Sequence, residues 1–185
     1  MDITAAQTEM ARAHVRGAPG VLVSGLVWLA AGWLWTHHGV MDGFYGLFVG
    51  GILIFPVSLL VSRIIFKEPA ASRGNPLERL ALESTFTLFA GTLLAWCFLR
   101  VAPELAFPAM AVAIGVRYLV FRTIYGNVVY WLLGGAIAAF GGMVALVPTE
   151  LPVNFALIVG AIEVCFSLVL FLTGHPGRTA RIATA

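Results

Sequence analysis

Apolar residues in this chain fall into long blocks, and polar residues gather in short stretches between them. The blocks lie at roughly 20–36, 43–66, 77–101, 105–122, 128–147 and 152–173, separated by "HHGVMDG", "KEPAASRGNPLE", "APE", "YGN" and "PTELP". Each block is close to the roughly 20 residues a helix needs to cross ~30 Å of hydrocarbon. The breaks are rich in the Gly, Pro, Asn and Asp of turns. No block alternates with period two, which excludes a transmembrane β-barrel, and none carries the polar face of a soluble amphipathic helix. The pattern predicts an all-α polytopic membrane protein, a six-transmembrane-helix bundle. "NPLE" is a helix start, with Asn75 as N-cap, Pro76 at the first helical position and Glu78 two residues on. Ahead of the first block, 1–16 reads as a short interfacial helix. Thr4 and Gln7 offer a capping box, Ile3, Met10 and Ala13 lie on the bilayer, and Arg12 and Arg16 face lipid headgroups. The expected organisation is a cytoplasmic segment at 1–19, a membrane domain at 20–174 and a cytoplasmic tail at 175–185.

Composition agrees with this pattern, because charged residues make up 11% of the chain and mean hydropathy is +0.94, whereas soluble domains carry about a quarter charged residues. The charges then orient the spans. Six crossings put Arg12, Arg16, Arg63, Lys67, Arg73, Arg79, Arg117, Arg122, Arg178 and Arg181 on one side and only Arg100 on the other. That bias predicts that both termini are cytoplasmic, and the expected location is the cell (inner) membrane, multi-pass. Trp33, Trp35, Trp96 and Trp131 lie toward span ends, where interfacial aromatics are expected. No basic run of nucleic-acid-binding length occurs, so nucleic acid is not an expected partner. Asp2 and Glu9 and the lack of a small-x-small site argue against a cleaved signal peptide. Cys97 and Cys165 are not spaced as a CxxC pair and read as small core residues.

Against this apolar background the intramembrane charges stand out. In "IGVRYLVFRTIYG", Arg117 lies five residues deeper than Arg122, or about 7 Å, and Glu83 on the preceding span lies at a matching depth. An ion pair of Glu83 with Arg117 is expected, in a polar site with Tyr118, Tyr125 and Thr87. The competing reading has Arg117 snorkel to the headgroups. Glu163 lies near the midplane, about 16 Å in from Pro152, with no arginine at its depth, and the ionised form is costly there. Ala156, Gly160 and Ser167 share its helix face. Two readings compete: a partly wet seam between spans three and six that carries a proton or polar ligand, with Glu163 and Ser167 lining it, or small-residue packing with the acid as inter-helix glue.

Other small residues read as packing. Gly46 and Gly50 form a GxxxG pair, Gly134, Ala138 and Gly142 recur every four residues, and Pro56 is expected to kink span two. "ALESTF" at Ala81 and "AIEVCF" at Ala161 share A-x-E-x-x-F, and "GGILIF" at Gly50 resembles "GGAIAAF" at Gly134. Three spans per half would make these inverted repeats, with chance matching as the alternative. Catalytic constellations are absent: no histidine pair brackets a haem, no HExxH occurs, and "VSGLV" is not G-x-S-x-G. No catalytic residue, metal or cofactor is expected, and the chain is not expected to be an enzyme.

"GAPGVLVSGLVW", "GGILIFPVS", "NPLERLALEST" and "FPAMAVAIGVRYLVFRTIYGNVVYW" together resemble a family of small bacterial multi-span membrane proteins of unknown function. The resemblance implies a multi-span membrane protein and no particular activity. It places Arg117, Tyr118, Tyr125, Asn75, Pro76 and Glu83 in motif stretches and does not reach Glu163. The leading expectation is a small transporter or channel, homo-oligomeric, passing a proton or small polar substrate along a route lined by Glu83, Arg117 and Glu163. The alternative is a scaffold that binds membrane lipids or a partner, with Arg63, Lys67, Arg73 and Arg79 holding anionic headgroups. An intramembrane lipid enzyme ranks last, for want of a nucleophile with a base or a metal set.

Overall fold

The computed structural model describes residues 2–72, 74–147 and 151–173. A short helix α1 (Ile3–Ala13) and a tight turn (Val15–Gly17) precede α2 (Ala18–His38), α3 (Val40–Leu60), α4 (Pro76–Val101), α5 (Ala106–Tyr125), α6 (Val129–Leu146) and α7 (Phe155–Leu172). Six of these helices are long and apolar enough to cross a membrane, as the block pattern predicts. Helix ends follow local chemistry. Gly39, at φ 102°, separates α2 from α3 with almost no loop, and Gly126, at φ 67°, closes α5. Asn75 caps α4 by accepting from the Leu77 N–H at 3.0 Å, with Pro76 next in the helix. The last span starts later than the hydropathy boundary because Asn154, not Pro152, is the cap. Its side-chain oxygen accepts from the Leu157 N–H at 3.1 Å, and its amide donates to Gly32 O at 2.7 Å, tying the start of α7 to the end of α2. Pro56 lies within α3, and the irregularity on that span comes later, as a wide π-type turn at Val61–Ile65.

Packing divides the bundle into two interlocked groups. The principal neighbours of α2 are α3 and α7, and those of α5 are α6 and α4. Matching α2 with α5, α3 with α6 and α4 with α7 turns each of these contacts into another. This is the pattern of two three-helix units that have exchanged their third helices. The matched helices α4 and α7 are those carrying "ALESTFTL" and "AIEVCFSL", with Glu83 and Glu163 in register. Close approach is made at glycines: a Cβ on Gly160 would lie 2.8 Å from the Leu29 nitrogen and 2.9 Å from Gly25 O, and one on Gly115 would lie 2.6 Å from the Ala138 nitrogen. Gly46 and Gly50 face Leu34 and Val27 of α2 as a GxxxG pair should. On α6 the expected register is off by one residue at its end, because Gly141 meets Pro108 and Ala111 while Gly142 faces open space. Between the groups Phe107 of α5 fills the centre, stacked on Trp35 at 4.7 Å between ring centroids and edge-on to Phe44 at 5.8 Å.

Three expectations are corrected here. The first helix is docked on the bundle rather than laid on the bilayer, for Met10, Ala13 and Ala6 are buried and only Ile3 of the expected lipid face is exposed. Ala6 and Met10 pack with Leu77 of α4 and Ile124 of α5. Its capping box does not form, since Gln7 instead donates across the bundle to Thr123 O at 2.7 Å. Cys97 and Cys165 lie on outward faces and not in the core.

A buried carboxyl where three helices meet

Glu163 is 0% exposed on α7. The glycines at Gly25 and Gly160 bring α2 and α7 nearly into backbone contact, which presses this carboxyl against α2 at the level of the buried Ser24. From α5, Tyr118 OH donates to Glu163 Oε1 at 2.9 Å, and the buried Ser24 of α2 is a near neighbour of both. Ser167, also at 0% exposure, donates to Val164 O of its own helix at 2.7 Å and is satisfied locally. Among the described residues Glu163 Oε2 has no hydrogen-bond partner, and neither has the buried indole N–H of Trp28, one turn along α2 from Ser24. Buried polar atoms are nearly always paired, so an orphaned carboxyl oxygen in a helix interface marks an unusual position.

An aromatic column runs from this carboxyl to one end of the bundle. The rings of Tyr118 and Tyr130 lie 6.1 Å apart, Tyr130 stacks on Tyr125 at 5.5 Å, and Tyr125 meets His14 edge-on at 6.4 Å. Tyr130 OH donates to Arg16 O at 2.6 Å, which latches the turn between α1 and α2. Three successive residues in that turn, Val15, Arg16 and Gly17, have positive φ of 50°, 54° and 74°, a strained run for the two that are not glycine. Burial first, and the Arg63 charge second, hold the His14 imidazole below its ordinary pKa.

The expected pair of Glu83 with Arg117 is not formed. Glu83 accepts from Arg79 Nε at 2.9 Å, one turn back on its own helix, and the pair is well exposed. A partner four residues away in the same helix is reached at less entropic cost than one on a neighbouring helix. Arg117 instead donates from Nη2 to Thr85 Oγ1 at 3.4 Å, with its guanidinium 5.1 Å from the centre of the Phe121 ring, and its buried Nε has no partner among the described residues. Thr87 donates to Ser84 O within α4. The seam expected between spans three and six is likewise displaced, because the main partner of α7 is α2, with lighter contact to α6 and α5. Sequence reasoning found Glu163 and its small-residue stripe, all of it buried, but missed Tyr118 and Ser24 as its neighbours.

Of the four cations expected to hold headgroups, Arg63 donates to the carbonyls of Ala13 at 3.5 Å and Glu68 at 2.5 Å, and Arg79 is engaged by Glu83. Lys67 is exposed, and Arg73 lies outside the described residues. At the same end Glu9 accepts from the Ser72 N–H at 2.8 Å and from Asn75 Nδ2 at 2.8 Å. These bonds, the backbone one first, hold its carboxyl below the usual carboxylate range. Among the described residues no cluster of His, Cys, Asp and Glu has the makings of a metal site.

Residues 3–173 match a family of unknown function, DUF7010, and the chain belongs to that family. No curated protein and no solved structure matches it.

Proposed function

We propose that this multi-span membrane protein is a small transporter that moves a proton, alone or with a small polar solute, through the seam between α2, α5 and α7. Glu163 is the group that gains and loses the proton. The observation that carries this reading is the buried Glu163 carboxyl, held through one oxygen by Tyr118 and with the other unpaired among the described residues. A carboxyl serving only as inter-helix glue has every reason to use both oxygens, because each unpaired buried polar atom costs free energy of order 1–3 kcal/mol. Tyr118 positions the carboxyl, and the aromatic column beneath it is the route toward the α1 end, which we assign to the cytoplasm from the charge bias. The scaffold reading is weakened by the engagement of Arg63 and Arg79 within the protein.

The test is proton flux in liposomes of purified protein under an imposed pH gradient. Wild-type protein should dissipate the gradient faster than empty vesicles. Glu163→Gln, which keeps the shape of the protonated acid, should remain folded and carry no flux. Flux undiminished in Glu163→Gln would remove the residue from the path.

A further inference from the structure

Arg117 is a permanent cation set among apolar side chains, and among the described residues no acidic side chain pairs with it. Its guanidinium has five N–H donors, yet among the described residues it makes one long hydrogen bond, to the Thr85 hydroxyl at 3.4 Å. That hydroxyl is itself anchored, donating to Ala81 O at 3.2 Å, so what it offers Arg117 is a lone pair and not a charge. The Phe121 ring attracts the cation but accepts no N–H in the guanidinium plane. The nearest acid by sequence depth, Glu83, is taken by Arg79. Snorkelling does not resolve the problem either. The Phe121 ring under the guanidinium packs, together with Val120 and Tyr125, against the α1 cluster of Ala6 and Met10, so α1 lies across the way to the headgroups.

The atom left open is informative. A guanidinium grips a planar oxyanion with two parallel N–H bonds, and the edge formed by Nε and an Nη is one of its two usual forks. Nε of Arg117 is buried and has no partner among the described residues, so the Nε end of this edge is open while Nη2 makes the long contact to Thr85. We propose that Arg117, steadied by Thr85 and Phe121, is the anchor of a binding site for a small oxyanion, a carboxylate or phosphate group, between α4 and α5 beneath α1. The phenol groups of Tyr118 and Tyr125 interact electrostatically with the same cation. Tyr118 therefore hydrogen-bonds Glu163 and also feels the charge of Arg117, which brings the anion site and the proton site within electrostatic reach of one residue. The inference deepens the transport reading by naming the class of solute, and rests on that reading only in making the oxyanion the cargo.

Binding can be measured without transport. The full chain, purified in a detergent free of phosphate, is titrated with inorganic phosphate and with acetate, following thermal unfolding and heat of binding. At least one ion should bind saturably. Thr85→Val, which keeps the cation but loosens it, should weaken that binding about tenfold, as expected for a charge-assisted hydrogen-bond geometry, and Arg117→Gln should abolish it. If Arg117→Gln does not fold, Thr85→Val decides. A parallel arm extracts the protein from vesicles containing phosphatidylglycerol and looks for retained lipid by native mass spectrometry. Retention that needs Arg117, without response to the free ions, identifies a lipid phosphate as the oxyanion. Absence of both, or binding unchanged in both variants, overturns the proposal. Ion binding by a wild-type protein that carries no flux would sink the transport reading and leave the site standing.

Discussion

Glu163 shows what a single residue reveals through spacing alone. Its depth and the stripe of Ala156, Gly160 and Ser167 follow from helical periodicity, and all four side chains are buried. Its partner did not follow, because Tyr118 lies 45 residues away on a helix whose rotation is set by packing that no local pattern encodes. Glu83 failed for the opposite reason. Depth matching favoured Arg117, but Arg79 one turn away on the same helix competes successfully. Energetic consequences separate the two acids. Tyr118→Phe removes the donor to a buried carboxyl and should lower stability by about 1–3 kcal/mol in detergent unfolding, with strong non-additivity in a double-mutant cycle with Glu163→Gln. Glu83→Gln breaks only an exposed pair within one helix and should cost no more than about 0.5 kcal/mol, additively with Arg117→Gln. Coupling between Glu83 and Arg117 comparable to that of Tyr118 with Glu163 would reinstate the cross-helix pair.

At the scale of elements, existence was legible and contact was only half so. Every span follows from apolar length, and the α4 cap follows from "NPLE", because these depend on neighbours within one turn. The face each helix turns inward depends on the others. On α6 the small residues were recognised, yet Gly141 rather than Gly142 makes the contact. Gly142→Ala should therefore be neutral or stabilising by up to about 1 kcal/mol through helix propensity, whereas Gly160→Ala must displace α2 backbone and should cost about 1–3 kcal/mol. The docking of α1 was hidden because burial of Met10 and Ala13 against protein leaves the same pattern as burial in a bilayer surface. Its attachment should depend on pH. The His14 pKa is depressed, so the stability it contributes is complete above about pH 6.5, its unfolded value, and is lost as pH falls below that. Glu9 is depressed as well, so its contribution is present above the ordinary carboxylate range and is lost as pH falls through its lower folded value. Protection of α1 amides, taken relative to intrinsic exchange at each pH, should thus fall below about pH 6.5 and again in the acid range. Protection unchanged from neutral pH down to acid would show that neither group holds the helix.

For the whole molecule, the number of crossings and the pairing of halves carry the argument. Six spans put the "KEPAASRGNPLE" and "PTELP" connections on opposite faces, and reporter fusions after Arg73 and after Glu150 should report opposite sides. The short resemblances between Ala81 and Ala161 and between Gly50 and Gly134 gain support from packing, since α4 and α7, and α3 and α6, occupy matching places around α5 and α2. Three crossings per unit make the units antiparallel, a plan in which sites lie near the middle of the bilayer where the halves meet. Glu163, reached by α2 and α5 together, lies where the halves meet, while its counterpart Glu83 remains outward. The matched acids of the two halves therefore stand in different surroundings, Glu163 buried and Glu83 exposed. The central proposal is that the Glu163 carboxyl gains and loses a proton, and infrared difference spectra of intact proteoliposomes, stepped between neutral and alkaline pH outside, measure this directly. The account predicts a carboxyl band that responds to the step and vanishes in Glu163→Gln. A spectrum with no pH-dependent carboxyl band, or one that persists unchanged in Glu163→Gln, would contradict it.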